Sequence, residues 1–162
     1  MSGEQEQHES ATVAADRFPT YDPEIAAFVG SSGGEDGGLP GFLGLRTVEV
    51  GPGTMTAELD VRDDLLNPFG VAHGGVVSAM VDHVLGAVLY PLIPRGAWAA
   101  TTEFKLNLLA PVREGAVRAR SEVIALTRRT AVVRIDVTCG GALVGAAQGT
   151  VTIRPPAPPT EE

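Results

Sequence analysis

From Thr54 to Val61 the chain alternates strictly, with Met55, Ala57, Leu59 and Val61 apolar and Thr54, Thr56, Glu58 and Asp60 polar. A period of two is that of a β-strand with one face on a core. Phe104, Leu106 and Leu108 alternate with Glu103, Lys105 and Asn107 in the same way. Further strands are predicted over 42–50, 115–126, 130–139 and 142–153. The separators are rich in turn residues: Gly51-Pro52-Gly53, Arg113-Glu114-Gly115, Arg128-Arg129-Thr130 and Cys139-Gly140-Gly141. Short turns between such strands predict an antiparallel meander. One stretch breaks the period. GGVVSAMVDHVLGAVLYPL, residues 74–92, is too long for a strand, and before Tyr90 only Ser78, Asp82 and His83 in it are polar. A helix apolar on all sides is a buried helix. One long buried helix after two strands and before four predicts an α+β fold, an antiparallel sheet of five to six strands wrapped around that helix.

The flanks read differently. Residues 1–20 hold four acids, one base and little apolar content, which predicts a disordered tail. Asp22 to Val29 reads as a short helix, with Asp22 as cap, Pro23 at the first position and Glu24 in the first turn. Ser31 to Gly38 (SSGGEDGG) is a Gly-rich linker that lacks the Lys-Ser/Thr ending of a phosphate loop. The chain therefore divides into a tail, helix and linker over 1–38, a folded domain over 39–154, and a Pro-rich tail over 155–162. A length of 162 residues suits one domain with its own core. The net charge of −8 disfavours nucleic acid as a partner. The one cysteine, Cys139, cannot close an internal disulfide and reads as a small apolar residue at a strand end. The acidic N-terminus lacks a signal-peptide core, and no apolar run is read as approaching a membrane span. The expectation is a cytoplasmic protein with no membrane partner.

Asp82 stands in the middle of the apolar helix, where an ionised carboxylate is costly unless partnered. It is either a structural acid or a carboxylate at the floor of a cleft, used as base or nucleophile. At the start of the helix, His73-Gly74-Gly75 leaves the first backbone N–H groups uncovered by any Cβ, which suits a polarised carbonyl or oxyanion. The same glycines also suit a tight strand-to-helix turn with His73 as cap. His83 reads as a packing or interface residue. A metal site from His73, Asp82 and His83 is not expected, because adjacent helix positions point apart.

Asn67, Gly70, His73, Gly74, Gly75 and Asp82 form the pattern N-x-x-G-x-x-H-G-G-x(6)-D. This pattern resembles that of the hotdog-fold acyl-CoA thioesterases, most closely the phenylacetic-acid-degradation type akin to one class of 4-hydroxybenzoyl-CoA thioesterase. The resemblance covers about residues 42–153. It implies a hotdog fold and hydrolysis of an acyl-CoA to CoA and a free acid, with no cofactor or metal. Asp82 would be the nucleophile or general base, and Asn67 the amide that positions water or carbonyl. The Gly74 N–H would polarise the thioester, with His73 and Gly75 beside it. Thr101, ten residues before Pro111, matches the family's Ser/Thr on the following strand, although Thr102 adjoins it. The resemblance further implies a homodimer or a dimer of dimers, with Asp82 of one subunit facing Asn67 and Gly74 of another.

Charge placement fits an anionic ligand. Residues 1–64 hold thirteen acids and three bases, whereas residues 112–134 hold six arginines and only Glu114 and Glu122. Arg113, Arg128 and Arg129 are the candidates for CoA phosphates, Arg129 by its match to a basic position in the family. Phe69, Val71, Val77, Met80, Val81 and Trp98 are the expected acyl-pocket wall, and helix 22–29 is expected to cover the pocket mouth. The competing readings are a non-hydrolytic acyl-CoA sensor or carrier, a hotdog dehydratase or hydratase, and a purely structural interaction domain. The carboxylate beside His-Gly-Gly weighs against the first. The helix-start motif of the second is missing, and the density of the pattern weighs against the third.

Overall fold

The computed structural model describes residues 17, 18, 20–31 and 37–156. Most of the expected N-terminal tail, linker positions 32–36 and the end of the Pro-rich tail lie outside the described residues. Two short helices, α1 (Pro23–Ser31) and α2 (Gly38–Leu43), precede strands β1 (Arg46–Gly51) and β2 (Thr54–Asp60). Helix α3 (Gly74–Ala87) follows, and then β3 (Trp98–Leu108), β4 (Ala116–Leu126), β5 (Thr130–Cys139) and β6 (Ala142–Arg154). The strands form one antiparallel six-stranded sheet in the order β1-β2-β4-β5-β6-β3. The expected meander therefore holds only in part, because β3 crosses to the far edge beside β6 and lets β4 pair with β2.

The alternation places the core. Met55, Ala57 and Leu59 are at most 1% exposed, and they share one buried cluster with Val117, Ala119 and Val123 of β4 and Val133, Ile135 and Val137 of β5. Over that face lie Met80, Val81, Val84, Leu85 and Val88. Their spacing of three and four residues puts them on one side of α3. At Gly149 of β6 an added Cβ would lie 2.7 Å from the Glu103 carbonyl oxygen and from Phe104 Cβ, and 2.9 Å from Leu85 Cδ2. The close seating of helix on sheet thus requires a residue without a side chain there.

Four expectations need correction. The strand predicted from residue 42 begins at Arg46, because Phe42 and Leu43 end α2 and Gly44, at φ +72°, turns the chain out of it. The long helix ends at Ala87, and a 3-10 turn at Tyr90–Leu92 follows, in which Pro91 has no N–H to continue the ladder. The helix is also not buried all round: Gly75 and Asp82 are exposed, and Ser78, Ala79, His83 and Gly86 only half-buried. Finally, Gly74–Leu92 is a 19-residue run of mean hydropathy 1.5, which by length and composition alone does match a membrane span. The sheet covers its apolar side.

Among the described residues strand β3 pairs only with β6, which leaves its other edge open. Its alternation is therefore only half-buried, and Trp98 and Leu108 at its two ends are 54% and 56% exposed. Within the stretch read as a tail, Phe18 is buried in the core, and Thr20 donates to the Leu92 carbonyl at 2.9 Å. The backbone N–H of Asp22 reaches Pro91 O at 2.7 Å, so α1 is docked on the domain from its first residue.

Candidate active site

The loop leading into α3 is built by Asn67. Its Oδ1 accepts the N–H of Phe69 at 2.9 Å, and its backbone carbonyl closes a turn with the N–H of Gly70, whose φ is +69°. Ala72 N–H to Val112 O at 2.7 Å and His73 N–H to Leu65 O at 2.9 Å pin the loop between its neighbours. Because Oδ1 serves the turn, the Nδ2 amide of Asn67 remains as a donor. Asn67, Val71, Gly74 and Val77 line a cleft of about 270 Å³ whose other wall runs from Leu108 to Val112 with Val144. Nothing in the N-x-x-G-x-x-H-G-G-x(6)-D pattern points to that wall, in which Pro111 stands.

His73 caps α3. Its Nδ1 accepts the N–H of Gly75 at 2.9 Å, so the ring carries its proton on Nε2. The N–H of Val76 bonds to the His73 carbonyl at 2.8 Å. Among the described residues nothing accepts the N–H of Gly74, and Gly74 lines the cleft at the positive end of the helix. Gly75 is thus a capped position rather than a free donor.

Asp82 is exposed and accepts no hydrogen bond from the described residues, so the dehydrated setting expected for it is not present in a single chain. It also lies apart from the cleft. Eight residues separate it from Gly74, about 12 Å at 1.5 Å per residue. The first-turn N–H groups point back along the axis, away from Asp82. One chain therefore brings Asn67 and Gly74 together and leaves Asp82 out.

The profile of the thioesterase superfamily matches residues 69–146. A 1,4-dihydroxy-2-naphthoyl-CoA hydrolase of Listeria monocytogenes is 30% identical over 101 residues, 62% of this chain and 82% of the relative. The chain belongs to the thioesterase superfamily. A solved thioesterase of Haemophilus influenzae superposes with a TM-score of 0.66 at 28% identity, covering 68% of this chain and 78% of that one. A phenylacetic acid degradation protein of Thermus thermophilus, solved as a mutant, gives 0.64 at 31% identity over 69% and 95%. The fold is the hotdog, and the chain is a thioester hydrolase.

The remaining candidates in this thioesterase divide by position. Thr101 pairs with core residue Val151 and so stands on the α3 side of β3, whereas a register shift puts Thr102 on the outer side, bonded to Thr152 Oγ1 at 2.7 Å. The structure thereby separates two threonines that are ambiguous in sequence. Arg113 donates to the carbonyls of Phe69 and Gly70 at 3.2 and 3.1 Å, clamping the loop. Arg128 and Arg129 line a separate cavity of about 340 Å³ with Pro94, Ala97, Ile153 and Pro156, at the Trp98 end of β3. Of the expected acyl wall, Val71 and Val77 line the first cleft, but Met80 and Val81 are core residues, and Phe69 is 81% exposed. Burial holds the pKa of His83 below its ordinary 6.5, against the pull of Asp82.

Proposed function

We propose that the protein hydrolyses an acyl-CoA thioester to CoA and a carboxylic acid, in a site assembled from two copies of the chain. The observation that carries this reading is the separation of Asp82 from Gly74 on one helix, with both groups uncommitted. The thioester oxygen accepts from the Gly74 N–H, and Asn67 Nδ2 holds the carbonyl or the attacking water. Asp82 of the other copy takes a proton from that water as its oxygen adds to the carbonyl carbon. The C–S bond then breaks, the thiolate leaves and takes up the proton, and CoA and the acid result. Direct attack by Asp82 would pass instead through an anhydride, and would leave label from ¹⁸O-water in its carboxylate. Side chains, backbone and water suffice for either route.

The second copy is argued from β3. An eleven-residue edge strand with unpaired backbone groups invites a partner strand. Residues 98 and 108 lie about 33 Å apart along that strand. Antiparallel pairing of two β3 edges about their middle would set the Trp98 end of one chain beside the Leu108 end of the other. Arg128 and Arg129, remote from Asn67 within one chain, would then flank the second chain's cleft, where CoA phosphates suit them. Thr101 would stand at the seam.

The test is thiol release from acyl-CoAs, together with sedimentation to find the oligomer. Turnover in a dimer or tetramer supports the reading. A monomer that turns over at full rate would refute the shared site.

A further inference from the structure

On the flank of α3 away from β3 lies a second cavity, of about 310 Å³, which the reaction above does not use. Ile25 and Val29 of α1, Thr47 of β1, and His83, Ala87 and Tyr90 along α3 and its 3-10 extension line it. Its size is at the small end of the ~300–1,000 Å³ of ligand sites. The wall supplied by α1 is fixed, not draped. Asp22 Oδ1 caps α1 by accepting the N–H groups of Glu24 and Ile25 at 3.0 and 3.2 Å. Arg95, just beyond the 3-10 turn, reaches both Asp22 and Glu24 at 2.7 Å.

Position connects this cavity to the chemistry. His83 follows Asp82 directly, with Cα atoms about 3.8 Å apart. The surface between them carries little bulk: Ala79 lies one turn before His83, and at Gly86, one turn after Asp82, an added Cβ would meet nothing within 4 Å. A chain extending from a carbonyl at Asp82 toward the cavity would thus pass over small residues, Ala79 and Gly86. The lining offers only the Thr47 and Tyr90 hydroxyls and the His83 ring as polar groups, and no charge pair. A charged or heavily hydroxylated acyl group would lose its hydration there without replacement.

We propose that this α1–α3 cavity receives the apolar hydrocarbon part of the acyl group, so that α1, outside the hotdog sheet, sets acyl specificity. The proposal rests on the thioesterase reading above, and binding of thioethers, which no esterase can cleave, separates the two. Calorimetry compares S-octyl-CoA and S-benzyl-CoA with S-methyl-CoA on the full chain. The wild type is expected to prefer one of the larger thioethers by at least about tenfold, and Ala87→Leu or Ile25→Phe, which fill the cavity, to reduce that preference below about threefold. Whether octyl or benzyl benefits tells chain from ring. Equal binding of all three thioethers, or a preference unchanged in folded Ala87→Leu and Ile25→Phe, would overturn the proposal. Failure to release thiol from octanoyl- or phenylacetyl-CoA while the binding preference stands would instead refute hydrolysis and leave the cavity assignment intact.

Discussion

The imidazole Nδ1 of His73 accepts the backbone N–H of Gly75 at 2.9 Å. That bond holds the first turn of α3 and leaves the N–H of Gly74, a residue lining the cleft, without an acceptor among the described residues. In the proposed reaction His73 would be a positioning residue, acting on the Gly74 N–H through the helix start. His73→Ala is expected to lose about 1 kcal/mol of stability, and His73→Asn, also a good cap, to recover most of it. Urea denaturation of both variants checks this. Equal losses would show that capping is not the role of the ring.

Asp82 is exposed and accepts no hydrogen bond from the described residues, so Asp82→Asn is expected to fold with stability within about 0.5 kcal/mol of the wild type. Its thiol-release rate is expected to fall about 10²–10⁴-fold, the usual worth of a positioned base. A rate within threefold of the wild type would remove Asp82 from the reaction.

Asn67→Asp keeps the oxygen that holds the turn and removes the Nδ2 donor. Alone, it and Asp82→Asn should each be inactive. Mixed in equal amounts under conditions that exchange subunits, they should regain about a quarter of wild-type activity, since half the dimers are mixed and each has one intact site. Mixtures as inactive as their parents would show that the site does not draw on two copies.

Gly149→Ala tests the seating of α3 on the sheet. Its Cβ would press on Phe104, Leu85 and the Glu103 carbonyl, with backbone among the atoms that must yield. Overpacking of this kind costs about 1–3 kcal/mol, read as a lowered urea midpoint. A midpoint equal to the wild type would show the sheet yields there.

Burial lowers the pKa of His83 in the folded state below its ordinary 6.5. The unfolded chain therefore binds a proton at this site first as pH falls. The contribution is complete above about pH 7 and is lost as pH drops through 6.5 toward the folded value. Stability of the wild type is expected to decline across that window more steeply than that of His83→Gln. Parallel curves from pH 8 to 5 would contradict it.

The strand alternation of β2, the boundaries of β4, β5 and β6, and the loop-and-helix pattern from Asn67 to Asp82 were legible in sequence because each follows from local periodicity or fixed spacing. Leu65, Ala72, Val112 and Arg113, which hold the loop, meet only through the fold. So do the two faces of α3. An apolar count along 74–92 cannot distinguish the side that meets the sheet from the side with Gly75, Ser78 and Asp82, because small residues and a lone acid barely dilute the hydropathy. Thr101 and Thr102 differ only by a register shift set by the partner strand β6. Helix α1 was readable from its cap, but its cavity against His83 and Ala87 requires β1 and the Arg95 anchor to be brought beside it. Local sequence determined which groups are available for chemistry. Tertiary structure decided which of them can meet, because reach depends on the sheet order and on which edge is left open.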